Sequence, residues 1–168
     1  PGTGKSVLAI NLLAEAIKKE KTAAYVTKNA APRNAYLSIL AGDDRFEKKE
    51  YKGLFLSSGQ LLSVKQNTYD VLLVDEAHRL NEKSGIFHNQ GENQIKEIIN
   101  ASLISVFFID EMQKISSYDI GSVAEIISWA ERFGADIHQG KLLSQFRCNG
   151  SDGYMSFLDD GLDIKHDY

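Results

Sequence analysis

The chain has 168 residues, is 43% hydrophobic and 25% charged, and carries a formal net charge of −4. That length and balance suit one globular domain with a core of its own and exclude a disordered or collagen-like chain. The acidic balance excludes a wholly basic nucleic-acid surface, though not a local basic strip. No apolar run is long enough to span a membrane, so no membrane partner is expected. A single cysteine, Cys148, excludes an internal disulfide and fits a reducing, cytoplasmic setting.

The first residues, Pro1-Gly2-Thr3-Gly4-Lys5-Ser6, form the second half of the G-x-x-x-x-G-K-[ST] phosphate-binding loop. Gly2, Thr3 and Gly4 let backbone N–H groups turn inward toward phosphate oxygens. Lys5 supplies charge for the β- and γ-phosphates, and Ser6 a hydroxyl for Mg²⁺. The first glycine of the pattern and the strand that normally precedes it are missing, which predicts a fragment of a longer protein.

Ser6 to Lys19 predicts a helix with Val7, Ile10, Ala14 and Ile17 on one apolar face, widened by Leu8, Leu12 and Leu13 and suited to lie on a sheet. Thr22 to Thr27 predicts a short buried strand, followed by a helix with Pro32 in its first turn and its end at Ala41. Gly53 to Ser57 predicts another strand, and Gln60 to Val64 a helical turn. Asp70 to Asp75 is the clearest strand, nearly all apolar, as a strand covered on both faces should be. Asn81 to Asn93 is polar and glycine-containing and predicts a mobile loop. Gln94 to Ser102 predicts a helix and Leu103 to Ile109 a second buried strand. Ser122 and Glu125 have capping-box spacing at the head of a helix that ends at Phe133. Leu142 to Ser144 predicts a last short strand, and residues 151–168 form an acidic extension.

Alternating apolar strands and amphipathic helices predict an α/β fold with a mainly parallel sheet flanked by helices over residues 1–150. Ligands of such sheets bind beyond the carboxyl ends of the strands. Four strands end there in polar residues: Thr27 to Asn29, Asp75 and Glu76, Asp110 to Gln113, and Gln145 to Arg147.

Two adjacent acids after an apolar strand are what a nucleoside-triphosphatase needs opposite its phosphate loop. Asp75 is assigned to the metal and Glu76 to the attacking water. Arg147 either meets the γ-phosphate as charge shifts in the transition state or pairs on the surface with an acid such as Asp152. Gln113 either senses the γ-phosphate or is a polar loop residue. Lys28, Asn29 and Arg33 form a basic-polar group able to touch a nucleic-acid phosphate, or else a solvated helix start. Four histidines show no zinc-site spacing, and no zinc is expected.

Taken in order, PGTGKS, YVTKNAA, LLVDEAHR, FFIDEMQ and LSQFRCNGSD resemble the motif set of superfamily 1 helicases. More closely, the chain resembles the Schlafen-like (group 3) DNA/RNA helicase domain family. The resemblance implies a RecA-like P-loop NTPase lobe, ATP and Mg²⁺ as cofactors, and single-stranded DNA or RNA as partner of the full-length protein. It implies that Thr27 and Asn29 lie near the strand, that Asp110 and Gln113 couple nucleotide state to it, and that Gln145 and Arg147 reach the nucleotide. It also implies a second RecA-like lobe beyond this sequence, toward which residues 151–168 extend.

Overall fold

The computed structural model describes residues 3–41, 51–85, 89–113, 116 and 118–142. Strands β1 (Ala23–Val26), β2 (Phe55–Leu56), β3 (Tyr69–Val74) and β4 (Ser102–Phe107) form one sheet in the order β2-β1-β3-β4. Every pairing is parallel, with Tyr25 opposite Phe55, Val26 opposite Val74, and Val74 opposite Phe107. Helices α1 (Lys5–Lys18), α2 (Ala30–Ala41), α3 (Gln94–Ala101) and α4 (Val123–Arg132) complete the described α/β architecture.

Side chains alternate across the sheet because the strand repeat is two residues. Tyr25 and Leu73 point to one face, where Ala9 and Leu13 of α1 and the partly buried Tyr36 and Leu37 of α2 meet them. Ala24, Val26, Leu72 and Val74 point to the other, against Ile95, Ile98 and Ala101 of α3, with Ile126 and Trp129 of α4 outside these. Burial on both faces is what lets β1 and β3 be so uniformly apolar. Tyr25, Tyr36 and Phe55 pack as an aromatic trio with centroids 5.6–5.9 Å apart.

Several expectations are corrected. On α1 the buried stripe is Ala9 and Leu13, one turn apart, while Val7, Leu8, Leu12 and Ile17 are exposed. Small Ala9 allows the helix close to the sheet, and the larger side chains around it then face away. The strand beginning near Leu103 is not fully buried: Leu103 is 63% and Ile104 57% exposed. Among the described residues β4 pairs on one side only, with β3.

The region 81–93, expected as a mobile loop, buries Asn81, Ser84 and Asn93 in its described part. Ser84 and Gln90 exchange backbone hydrogen bonds of 2.7 and 3.1 Å, and the Gln94 side chain bonds Asn81 N–H and Ser84 Oγ. Ser122 caps α4 through Glu125 N–H, but the Glu125 carboxylate accepts from Trp129 and Asn93, so only half of the capping box forms. Leu142 has no regular secondary structure, and the rest of that expected strand lies outside the described residues.

Candidate nucleotide site

The candidate site sits where parallel strands end and α1 begins. Gly4 precedes α1 with φ of 80°, a left-handed conformation natural to glycine. No side chain caps the first turn of α1, so backbone donors at its positive end point toward the cleft mouth. Lys5 Nζ lies 3.3 Å from Asp110 Oδ2 and 3.4 Å from Thr3 Oγ1. The ammonium therefore joins the head of α1 to the segment after β4.

Asp75 and Glu76 follow β3 directly. Asp75 is nearly buried, and its carboxylate is fixed from two sides: Tyr25 OH donates to Oδ2 at 2.6 Å and Glu76 N–H to Oδ1 at 2.9 Å. Burial, the hydrogen bond to Asp75 and the charge of Asp75 all push the Tyr25 phenol far upward, so it stays a donor. Glu76 adopts φ 51°, ψ 42°. A bulky residue in that left-handed region is strained by on the order of 1 kcal/mol, a cost typical of functional sites. Asn29 Nδ2 donates to Glu76 Oε2.

The segment after β4 closes the site. Phe108 N–H bonds the Val74 carbonyl at 2.8 Å and Ala77 N–H bonds the Phe108 carbonyl at 2.9 Å, carrying the β3–β4 pairing past the strand ends. Gln113 Nε2 donates to Asp110 Oδ2 at 2.7 Å. Burial acts to raise the Asp110 carboxyl, while the hydrogen bonds from Lys5 and Gln113 and the charge of Lys5 act to lower it. Thr3, Gly4, Lys5, Ser6, Asp75, Glu76, His78 and Gln113 line one cleft of about 240 Å³. A Cβ at Gly121 would stand 1.9 Å from the Ala77 carbonyl oxygen. Only glycine lets the segment before α4 press so closely behind the acids.

A family model described as Schlafen group 3, DNA/RNA helicase domain, matches residues 1–167. The chain belongs to this family. No curated protein and no solved structure matches it. The Schlafen group 3 chain is thus a helicase-type α/β domain in which Gly4, Lys5 and Ser6 meet Asp75 and Glu76 in one cleft.

The remaining expected residues are placed as follows. Thr27 has no exposed surface, and its hydroxyl finds no partner among the described residues. Lys28 pairs with Asp119 at 3.3 Å and donates to Asn81 Oδ1 at 3.0 Å. Arg33 lies on α2 and is partly exposed. Gly2, Gln145 and Arg147 lie outside the described residues. Sequence reasoning missed Tyr25, which reads as core, and His78. The His78 imidazole is 3% exposed, lines the cleft, and its Nδ1 has no hydrogen-bond partner among the described residues. The short interval from Asp75 to His78 was the available signal. Among the described residues, no three His, Cys, Asp or Glu side chains are grouped to hold a metal ion, and no helix is long and apolar enough to cross a membrane.

Proposed function

We propose that this domain binds and hydrolyses ATP as the first motor lobe of a superfamily 1-type DNA/RNA helicase or translocase. The observation that carries the reading is the shared cleft: Lys5, Ser6, Asp75, Glu76 and Gln113 come from three distant parts of the chain and line one cavity. The residues present fit a magnesium nucleotide. Gly4 opens the backbone, the first turn of α1 has no side-chain cap, and a hydroxyl and a carboxylate are the hard oxygen donors that Mg²⁺ takes. With few protein ligands available, phosphate and water oxygens would complete the coordination.

In this reading Lys5 exchanges Asp110 for the phosphates and neutralises their charge. Ser6 and Asp75 hold the ion, which when bound supplies positive charge to the phosphate oxygens. Glu76 orients the attacking water and accepts its proton. Gln113 reads the γ-phosphate, and the family resemblance assigns Gln145 and Arg147 to the nucleotide as well. The direct test is ATP turnover by the full-length protein carrying Lys5→Ala or Glu76→Gln. Each should reduce kcat by at least about 100-fold, the scale of losing a charge-stabilising or proton-accepting group. Undiminished turnover in both variants would remove the reading.

A second reading, a nucleotide-dependent switch without unwinding activity, is favoured by the net charge of −4 and by the commitment of Lys28 to Asp119. Acceleration of hydrolysis by single-stranded DNA or RNA, with salt-sensitive binding, selects the motor. Neither effect selects the switch.

A further inference from the structure

The segment around β1 delivers hydrogen-bond donors to both acids. Tyr25, inside the strand, holds Asp75, and Asn29, four residues on, holds Glu76. The two acceptors are adjacent in sequence, but their freedom differs. Asp75 is nearly buried and bonded through both carboxylate oxygens. Glu76 is half-buried, leaves the strand through a left-handed backbone turn, and faces the cleft. Among the hydrogen bonds of the described residues, its carboxylate is held by the Asn29 amide.

We propose that Asn29 is a positioning residue for hydrolysis, aiming the Glu76 carboxylate within the cleft through its side-chain amide. The inference rests on the hydrolase reading and assigns Asn29 a task distinct from contact with nucleic acid. An ionised carboxylate only accepts hydrogen bonds, so it must face the NH₂ side of the amide. That constraint fixes one Glu76 oxygen and leaves the other to meet water. A glutamate side chain has three rotatable bonds, and a misplacement of about 1 Å in a reacting group can lower a rate by about 100-fold. Asn29 is well suited to supply the restraint, because it stands immediately before α2, whose Tyr36 and Leu37 pack on the sheet.

The full-length protein tests this with two variants of one position. Asn29→Ala removes the donor and the volume. Asn29→Asp keeps the volume, removes the donor, and sets a like charge against Glu76. Positioning predicts that kcat for ATP falls about tenfold in Asn29→Ala and further in Asn29→Asp, with KM changed less than about twofold in both. If Asn29 merely fills space, Asn29→Asp stays near wild type and Asn29→Ala is the worse variant, and the proposal is overturned. Turnover abolished by Glu76→Gln but unchanged in both Asn29 variants also overturns it, while leaving the hydrolase reading intact. A second readout needs no turnover. In amide-resolved NMR spectra of the full-length protein, one Asn29 side-chain NH₂ proton should lie downfield of its position in a solvated asparagine, and Glu76→Ala should return it there. Both protons at solvated positions in the unsubstituted protein would show that the bond does not exist in solution.

Discussion

His78 is a buried base in a cleft lined by acids, and its protonation connects the site to stability. Burial lowers its pKa; nearby Glu76, Asp110 and Asp119 pull the other way without cancelling that, and Arg79 adds to the lowering. The folded pKa therefore lies below the unfolded value of about 6.5. As pH falls through that value the unfolded chain takes up a proton that the folded chain refuses, so stability declines on the acid side. The limit for one group is about 1.4 kcal/mol per pH unit. Replacing His78 by Gln removes this contribution. Urea midpoints at pH 7.5 and 5.5 should fall more for the native protein than for His78→Gln, and an equal fall would show that His78 does not carry the difference. The strained backbone of Glu76, two residues earlier, was not legible in the sequence, because nothing in its neighbours demands a positive φ. It arises from tertiary context: Asp75 N–H bonds Val26 and Ala77 N–H bonds Phe108, and the chain between them must turn within one residue.

The helices and strands were legible to the extent that burial dictates pattern. β3 reads plainly because apolar side chains cover it on both faces, and α3 because Ile95 and Ile98 keep helical spacing before the buried Ala101. β2 is shorter than its apolar run, since Lys52–Leu54 forms a 3₁₀ turn first. The polar connection before α3 was misread for a physical reason. Composition cannot distinguish polar side chains facing water from polar side chains that satisfy one another in the interior. Asn93 shows the difference. Its side-chain oxygen accepts from Ile95 N–H at 2.9 Å and Lys96 N–H at 3.2 Å, capping α3, while its amide donates to Glu125 of α4 at 3.1 Å. Asn93→Ala should therefore cost about 2 kcal/mol, the upper end for a cap, because it also leaves a helix-to-helix bond unmade. Ser122→Ala, which loses the side-chain cap of α4 alone, should cost about 1 kcal/mol. Chemical denaturation of both variants gives the comparison, and equal losses would mean that the bond to Glu125 contributes nothing.

Across the molecule, the segments that leave the sheet at its carboxyl edge are held by two side-chain ties. One lines the cleft, where Asn29 donates to Glu76 and where Lys5, at the head of α1, and Gln113 both donate to Asp110. The other runs from Lys28 after β1 to Asn81 after β3 and Asp119 after β4. The sequence showed that the residues after β1, β3 and β4 gather at this edge, since parallel topology brings strand ends together; its fourth group, Gln145 to Arg147, lies outside the described residues. It did not show which charges are committed to one another, because Lys28 and Asp119 are 91 residues apart and no motif surrounds Asp119. The Asp119 side chain is 1% exposed, against 30% for Lys28, so the lysine answers a charge that water does not reach. Ser116 N–H also donates to Asp119 Oδ2 at 3.0 Å, which leaves partial compensation if the lysine is lost. Lys28→Met should then destabilise the protein by roughly 2 kcal/mol, below the full cost of stranding a buried charge. Adding Asp119→Asn should recover part of that loss, because the amide carries no charge and can still accept from Ser116. Arg33→Ala, on the partly exposed side of α2, should change stability by less than about 0.5 kcal/mol. Denaturant midpoints of the three variants decide between a structural lysine and a surface one. If Lys28→Met unfolds at the native midpoint, its ammonium is free for a phosphate, and the second tie does not hold the edge together.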